Sequence, residues 1–442
     1  MKLVVIGGDA AGMSAAMQVV RNVEESEIVV LERGEIYSYG QCGLPYVIGG
    51  DVSSTDDLIA RDVETFRNKY GIDARTNHEV TSVDCERRIV SGVDGEGEVF
   101  EEKYDELLVA SGASPVVPPW EGRNLEGVHV LKTIPDVEDI VEGIDADVRH
   151  VTVIGSGYIG LEVAENFKDI GKDVHLISRS AHPASMIDED MGSMVTEEAR
   201  KNGVHVTLEE SVERLEGETR VNRVITDKQK YDTDLVIVAT GVAPNTNFMA
   251  GTGIHTTESG AIEVNRFMET NLPHIYAAGD CAVQYHRIKE RDDYVPLGTH
   301  ANKQGRIAGM VLSGKRQSFK GIVGTSILKF FSLTIGKTGI SEEEAKKENI
   351  PYETVSMKST HAAGYYSDEP PMSIKLTYQP KTHQVLGIQI VGTFGVDKRI
   401  DVIATALYHE MKTDDLLDLD LAYAPPYNSV WDPVQQVARR VK

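Results

Sequence analysis

Short apolar runs alternate with amphipathic stretches along the chain, as they do where parallel strands are joined by helices. Leu3–Ile6 and Ile28–Leu31 predict two buried strands, and Met13–Arg21 predicts a helix between them. The same order recurs further along. From about Gly324 the apolar runs alternate with turns and lead to a late helix near Val402–Glu410, which indicates an α+β module. The pattern therefore predicts an α/β fold of two similar units followed by a third, different one.

The first strand leads into Gly7-Gly8-Asp9-Ala10-Ala11-Gly12, and Glu32 closes the next strand about twenty residues later. Glycine permits the tight turn, the helix N-terminus suits a pyrophosphate, and the acid suits ribose hydroxyls. This stretch predicts a dinucleotide site; the alternative is a helix–strand loop without a nucleotide. Asp9 stands where the pattern has its middle glycine, so we expect its side chain to turn away from the phosphates.

A second strand, Val151–Ile154, is followed by the complete glycine pattern in Gly155-Ser156-Gly157-Tyr158-Ile159-Gly160. The strand after it ends in Ser178-Arg179-Ser180, without the expected acid. An arginine at this place suits a 2′-phosphate, so we expect NADPH in preference to NADH. The alternative interpretation of Arg179 is a solvated surface side chain.

Two glycine loops of this kind predict one tightly held flavin and one diffusible nicotinamide. A strand ending in Gly279-Asp280 adds a carboxylate at a sheet edge, where such sheets bind ligands. Residues 107–112 and 235–241 are strands with small-residue turns, and they predict the crossings between two nested Rossmann-like units. The expected division is an FAD-binding domain at 1–115 and 245–322, an NAD(P)H-binding domain at 116–244, and a C-terminal domain at 323–442.

Cys42 follows the first nucleotide unit, in Ser38-Tyr39-Gly40-Gln41-Cys42-Gly43-Leu44-Pro45-Tyr46. Glycine and proline after it permit a tight, rigid geometry beside a ligand. A thiol attacks only as thiolate, and a helix N-terminus or an electron-accepting neighbour lowers its pKa. We therefore expect Cys42 to face the flavin; the alternative is a small buried side chain. Cys85 and Cys281 are expected to be structural.

The net charge of −24 argues against nucleic acid or an anionic membrane as the main partner. An anionic substrate would need a basic pocket that acts against this overall field. Three widely spaced cysteines indicate neither a disulfide framework nor a zinc or other metal site, and a reducing cytoplasm suits them best. Asp9 interrupts the apolar N-terminus, so a signal peptide is not expected, and no apolar run predicts a transmembrane helix.

With Cys42 and three nucleotide signatures, the whole chain resembles the flavin-dependent pyridine nucleotide–disulfide oxidoreductases, in their single-cysteine branch. Two-cysteine members have a second cysteine five residues on, where this chain has Val47. Oxidases and peroxidases of the branch carry a histidine at the position of Ala10. Gly364-Tyr365-Tyr366 and Ala422-Tyr423-Ala424-Pro425-Pro426-Tyr427 resemble segments of coenzyme A disulfide reductases instead.

This resemblance implies FAD, NADPH or NADH as co-substrate, and coenzyme A bound covalently to Cys42. It also implies a homodimer formed by the C-terminal domain, in which Tyr365 and Tyr423 reach the thiol of the other subunit; Tyr366 competes with Tyr365 for that role. Substrate contacts are implied at Ser14, Gln18, Arg21, Ser38, Gln41 and Asn302. Cofactor contacts are expected at Gly7, Gly8, Ala11, Gly12, Glu32, Arg33, Ala110, Gly112, Gly155, Gly157, Tyr158, Ile159, Gly160, Arg179, Gly241, Gly279 and Asp280.

The implied function is reduction of coenzyme A disulfide through a mixed disulfide on Cys42. Three alternatives stay open at this point. One is a water-forming NAD(P)H oxidase that cycles Cys42 through a sulfenic acid. Another is a coenzyme A-dependent persulfide or polysulfide reductase, and the third is an NAD(P)H-responsive redox sensor with slow turnover.

Overall fold

The computed structural model describes residues 1–144, 147–366, 368 and 370–442. Residues 1–115 form β1 (Lys2–Ile6), α1 (Ala10–Asn22), β2 (Glu27–Leu31), α2 (Leu44–Gly49), α3 (Val63–Tyr70), β3 (Asp73–Arg75), β4 (Glu79–Asp84), β5 (Ile89–Val93), β6 (Val99–Lys103), β7 (Glu106–Val109) and β8 (Ala113–Pro115). Residues 116–244 form β9 (Val128–His129), α4 (Ile134–Gly143), β10 (His150–Ile154), α5 (Tyr158–Asp169), β11 (Asp173–Ile177), α6 (Glu189–Lys201), β12 (His205–Thr207), β13 (Val212–Gly217), β14 (Val221–Thr226), β15 (Lys230–Asp232), β16 (Leu235–Val238) and β17 (Val242–Pro244). Residues 245–442 form β18 (Ile275–Ala277), β19 (Gln284–His286), β20 (Arg291–Asp293), α7 (Gly298–Leu312), β21 (Ser326–Phe330), β22 (Leu333–Gly339), α8 (Glu342–Lys347), β23 (Glu353–Ser359), β24 (Met372–Tyr378), β25 (Val385–Gly392), α9 (Val396–Tyr408), α10 (Thr413–Leu417) and α11 (Pro433–Ala438).

Two parallel sheets confirm the predicted pair of nucleotide-binding units. The first has the strand order β18-β7-β1-β2-β3 and the second β12-β11-β10-β16-β9. The central strands β1 and β10 are almost entirely buried because helices or further strands cover both faces. Both glycine loops therefore leave the carboxyl end of a central strand, where open α/β sheets bind ligands.

The chain crosses between the two units through β8 and β17. These short strands pair antiparallel, with Ser114 opposite Ala243. They directly follow the two small-residue turns expected to mark the crossings. The exact division into three domains stays a prediction.

The C-terminal module is an antiparallel sheet of order β21-β22-β25-β24-β23, against which α9 packs. Helix α9 begins at Val396, six residues before the predicted start, so that boundary was wrong. Val396, Ile400 and Ile403 form its buried stripe, but Arg399 within the same turn is also buried. Arg399 is paired with Asp432 at 3.1 Å, and a charged residue on the core side hides the helical pattern.

Buried polar contacts fasten the second nucleotide unit to the C-terminal sheet. Asp188, at the start of α6, accepts a hydrogen bond from the side chain of Gln389 at 2.6 Å and pairs with Lys375 at 3.0 Å. Glu198 accepts a hydrogen bond from the hydroxyl of Ser332 at 2.6 Å. Because both carboxylates are buried and hydrogen-bonded, these links hold the two parts in one arrangement.

Within the described ranges, no helix combines the length and the apolar character needed to cross a membrane.

Candidate active site

The first glycine loop is shaped for close approach of a dinucleotide. Gly7 has φ +109°, and a β-carbon there would collide with the carbonyl oxygen of Ala110. A β-carbon on Gly12 would collide with the carbonyl oxygen of Gly7. Glu32 already accepts a hydrogen bond from the backbone nitrogen of Gly8 at 2.8 Å, which fixes its carboxylate at the ribose position of such a site. The residues present therefore fit the FAD that the sequence predicts.

Asp9 turns away from this loop, as its place in the glycine pattern predicted. Its carboxylate accepts hydrogen bonds from the backbone nitrogen of Tyr39 at 3.3 Å and the side-chain nitrogen of Gln41 at 2.8 Å. Although Asp9 is the N-cap residue of α1, its side chain makes no capping hydrogen bond. The first amides of α1 are therefore left for a phosphate.

The second glycine loop repeats the geometry of the first. Gly155 has φ +111° and lies against the carbonyl oxygen of Ala239, and Gly160 lies against the carbonyl oxygen of Gly155. Gly157 is the N-cap residue of α5. Arg179 is exposed two residues after the end of β11, and its contact with a 2′-phosphate stays a prediction.

Other predicted cofactor residues line the strand ends between the two loops. Gly112 and Gly241 have φ +67° and +123° in the two crossings. Arg33 donates a hydrogen bond to the hydroxyl of Ser114 at 3.2 Å. Tyr158 lies half-buried at the start of α5, where burial raises the pKa of its hydroxyl.

Gly279, in the strand end Gly279-Asp280 that the sequence also assigned to nucleotide binding, lies beside the start of α1. It has φ +85°, and a β-carbon on it would press against the side chain of Ala11 in α1. The following Asp280 pairs with Lys132 at 3.3 Å, just ahead of α4. Sequence reasoning did not find Lys132, because a single lysine in a loop resembles any solvated surface lysine.

Cys42 lies where the two nucleotide units meet. It is exposed in the short 3₁₀ turn Gln41–Gly43 that leads into α2. Helix α2 packs on α5 so closely that a β-carbon on Gly49 would collide with the side chain of Asn166. The hydroxyl of Tyr46 donates a hydrogen bond to Glu162 of α5 at 3.3 Å. These contacts place the turn that carries Cys42 against α5 of the second nucleotide unit.

The protein's own groups raise the pKa of the Cys42 thiol, contrary to the lowering expected at a helix start. Although Cys42 is reachable from solvent, the surrounding protein removes part of the water around its thiol, and this desolvation is the largest cause of the raised pKa. The carboxylate of Glu162 follows, with smaller contributions from Asp280 and Asp9. Lys132 acts in the opposite direction. Burial also raises the pKa of Glu162 to about 7, so the carboxylate with the largest electrostatic effect on the thiol titrates near neutrality.

A cavity of about 430 Å³ lies between α1 and α7. Five of the six predicted substrate residues line it: Ser14, Gln18, Arg21, Ser38 and Asn302. The sixth, Gln41, is instead bonded to Asp9. The structure adds three cations that sequence reasoning missed, Arg61, Lys303 and Arg306.

The cavity owes its shape to an intimate helix pair. A β-carbon on Gly305 or Gly309 of α7 would collide with the carbonyl oxygen of Ala11 or Ala15 of α1. The spacing Gly-x-x-x-Gly in α7 was a usable signal for this contact, since it places two glycines on one helix face.

The predicted tyrosines form a separate, exposed pair on the C-terminal module. Tyr365 is 78% exposed and Tyr423 is 47% exposed, and their hydroxyls are 3.4 Å apart. Tyr366 is 59% exposed nearby. Among the described residues, the groups that shift the pKa of Cys42 include neither tyrosine. Their place relative to the thiol of a second subunit stays a prediction.

Comparison with known proteins matches both parts of this architecture. Residues 1–305 match the family model described as pyridine nucleotide-disulphide oxidoreductase, and residues 325–433 match the dimerisation domain of that family. The NAD(P)H coenzyme A polysulfide/persulfide reductase of Pyrococcus horikoshii is 40% identical over 442 residues, covering 100% of this chain and 98% of the relative. The coenzyme A disulfide reductase of Staphylococcus aureus is 33% identical over 445 residues, covering 100% of both chains.

A solved structure extends the likeness to a further activity. An engineered water-forming NADPH oxidase, made from the NADH oxidase of Lactobacillus brevis and bound to NADPH, has a TM-score of 0.96 and 29% identity, and the match covers 99% of this chain and 98% of that chain. The family match spans both nucleotide units and the C-terminal module. This chain belongs to the pyridine nucleotide-disulphide oxidoreductases, the flavin-dependent enzymes that use FAD and NAD(P)H.

Proposed function

We propose that the chain reduces coenzyme A disulfide with NADPH, through a mixed disulfide between Cys42 and coenzyme A. The observation that carries this proposal is the cavity between α1 and α7. Arg21, Arg61, Lys303 and Arg306 line it in a chain of net charge −24. Four cations gathered against the overall field suit the several phosphates of this substrate. Ser38 lies in the cavity wall four residues before Cys42, so one turn joins the place proposed for the phosphates of coenzyme A to the place proposed for its sulfur.

The chemistry needs one thiolate and two electrons. The Cys42 thiolate attacks one sulfur of the disulfide, that S–S bond breaks, and the first coenzyme A leaves as a thiolate that takes up a proton. The first glycine loop and Glu32 would hold FAD, which would supply the relay of two electrons from NADPH. Those electrons break the mixed disulfide, which restores the Cys42 thiolate and releases the second coenzyme A with a proton from solvent. One disulfide, NADPH and one proton thus give two thiols and NADP⁺.

Three groups of the protein assist this cycle in the proposal. Lys132 stabilises the Cys42 thiolate, since it is the cation that lowers the pKa of that thiol. Tyr423 and Tyr365 from the second subunit donate a proton or hydrogen bond to the departing thiolate. The hydrogen bond to Tyr423 raises the pKa of Tyr365, which keeps Tyr365 protonated as a donor near neutral pH.

NADPH is the proposed electron donor because of Arg179. The engineered NADPH oxidase carries three consecutive replacements, Asp to Ala, Ala to Arg and Met to Ser. In that enzyme the first of these three positions lies 18 residues after a glycine that was also replaced. In this chain Ser178 likewise lies 18 residues after Gly160. This chain has Ser-Arg-Ser at that place, which resembles the engineered sequence, and an arginine there suits a 2′-phosphate. NADH is the alternative donor.

A second candidate function is coenzyme A-dependent reduction of persulfide or polysulfide. The Pyrococcus horikoshii relative with that name covers the whole chain at 40% identity. The same thiolate and the same cavity serve this chemistry, because a persulfide also presents an S–S bond to Cys42. A water-forming oxidase is less favoured, since Ala10 stands where oxidases of the branch carry histidine.

The first experiment measures the mass of the purified protein under non-reducing conditions, before and after dithiothreitol. We expect an adduct with the mass of coenzyme A that dithiothreitol removes, present in Cys85→Ser and absent in Cys42→Ser. Steady-state NADPH oxidation is then compared with coenzyme A disulfide, coenzyme A persulfide and oxygen as acceptors. A chain without the adduct, with oxygen as its fastest acceptor, would overturn the proposal in favour of the oxidase. Binding of NADPH without sustained turnover would indicate a sensor.

A further inference from the structure

Asp9 links the first glycine loop to the turn that carries Cys42. Its two carboxylate oxygens accept hydrogen bonds from Tyr39 and Gln41, at 3.3 Å and 2.8 Å. A third link is made by the backbone, where the nitrogen of Ser38 donates to the carbonyl of Gly8 at 3.1 Å. The cofactor loop and the redox turn are therefore fastened together at three points.

The direction of the Asp9 side chain is unusual for its position. An aspartate at a helix N-cap ordinarily accepts a hydrogen bond from the backbone of its own helix. Asp9 accepts no such hydrogen bond from α1, and both of its carboxylate oxygens accept hydrogen bonds from the neighbouring turn instead. Because a carboxylate beside a pyrophosphate is otherwise unfavourable, its presence here calls for a role toward the turn.

We propose that Asp9 is a positioning residue for Cys42: it orients the redox turn through Tyr39 and Gln41 and holds a negative charge near the thiol. The inference deepens the proposed function, and it rests on that function only in taking Cys42 as the reacting group. The hydrogen bonds fix the direction of the turn. The charge opposes ionisation of the resting thiol, because a nearby like charge disfavours the thiolate.

The surrounding charges agree with this role. Asp9 is faced by Glu32 at the end of β2, by Lys132 ahead of α4, and by the bonded Tyr39 and Gln41. Burial raises the pKa of Asp9 to about 6, so the carboxylate is ionised at neutral pH.

Cys42 itself is faced by the hydroxyl of Tyr46 in α2. Its charged neighbours are Glu162 of α5, Lys132, Asp280 and Asp9. Asp9 is the only one of these four that also hydrogen-bonds to the residue preceding the thiol, Gln41. Its effect on reactivity and its effect on geometry can therefore be measured separately.

The test of the charge compares Asp9→Asn with Asp57→Asn, which removes the same charge from an exposed residue of the neighbouring Thr55–Leu58 turn. The rate at which iodoacetamide alkylates Cys42 is followed on the FAD-bound enzyme by peptide mass spectrometry, from about pH 5.5 to about pH 9.5. We expect Asp9→Asn to move the profile to lower pH and to make alkylation about two- to fivefold faster at neutral pH. Asp57→Asn should follow the wild type. An Asp9→Asn profile that superimposes on the wild type, with FAD retained, overturns the role of the charge.

The test of the geometry uses Gln41→Met, which breaks the same contact without changing the glycine loop. We expect hydrogen exchange of the peptide spanning residues 38–43 to become about tenfold faster. Unchanged exchange overturns the positioning role, and this variant also decides the matter if Asp9→Asn loses FAD. Neither readout needs a disulfide substrate. A wild type that fails to reduce coenzyme A disulfide would refute the proposed function and leave this inference standing.

Discussion

A dimer with Cys42→Ser in one subunit and Tyr423→Phe in the other retains one complete active site if the tyrosine acts across the interface. The structural basis is the exposed pair of Tyr365 and Tyr423, which lies on the module that matches the family's dimerisation domain. In a two-fold symmetric dimer, each site would take its thiol from one chain and its tyrosines from the other.

The expected rates differ widely between the two arrangements. Cys42→Ser homodimers lack the thiol at both sites, and Tyr423→Phe homodimers lose a proton donor at both, which costs about 10²-fold in kcat. If the tyrosine acts across the interface, the mixed dimer keeps one intact site and about half of the wild-type rate. If the tyrosine acts on the thiol of its own chain, the mixed dimer has about half of the Tyr423→Phe rate, because the chain that keeps Cys42 carries phenylalanine at position 423. The two arrangements are thus separated by about 10²-fold.

The assay uses two affinity tags, one on each variant chain, and purification through both before NADPH oxidation is measured with coenzyme A disulfide. A mixed dimer of wild-type and Cys42→Ser chains is the control. This control should give about half of the wild-type rate whether the tyrosine acts within its own chain or across the interface. A doubly tagged variant dimer no faster than the Tyr423→Phe homodimer would refute the shared site and leave the tyrosines as interface residues.

Three further outcomes are expected. Arg179→Ala should raise the KM for NADPH about tenfold and leave the KM for NADH within about twofold, because only the 2′-phosphate loses a charged partner; equal changes in initial-rate measurements would contradict the NADPH assignment. Glu162→Gln removes the carboxylate that raises the pKa of Cys42 most, so alkylation of Cys42 at neutral pH should be faster. The alkylation rate should also lose the pH dependence that Glu162 imposes by titrating near pH 7. An unchanged pH profile would argue against this coupling. Arg399→Leu leaves Asp432 buried without its cation and should lower the free energy of unfolding by about 3–5 kcal/mol in urea titrations; an unchanged free energy of unfolding would contradict this.

The features that the sequence predicted well are those with a fixed local pattern. The two glycine loops follow from backbone clearance, which only glycine satisfies at Gly7 and Gly155. The direction of the Asp9 side chain follows from its place at the middle position of the first glycine pattern. The start of α9 was missed because Arg399 is charged and yet lies in the core. Burial of that kind depends on a distant partner, Asp432, and no local window contains it.

The candidate site shows the same division. Ser14, Gln18 and Arg21 lie at helical spacing on α1 and could be placed by resemblance. Lys303 and Arg306 stand almost three hundred residues further on, in a helix that the hydrophobic pattern did not single out. Only the packing of α7 on α1 brings them to the cavity, and single basic residues carry no sign of that in the sequence.

The contact of Gly305 and Gly309 with Ala11 and Ala15 has a consequence for how new specificities arise in this architecture. Where two helices touch through their backbones, neither rotamer changes nor small repacking can alter their separation. The gap beside them therefore keeps one width in any chain that retains these four small residues. A different acceptor would be accommodated by exchanging side chains along the rim, such as Arg306. Variation among descendants of such a chain should concentrate there, while the helix contact itself stays unchanged.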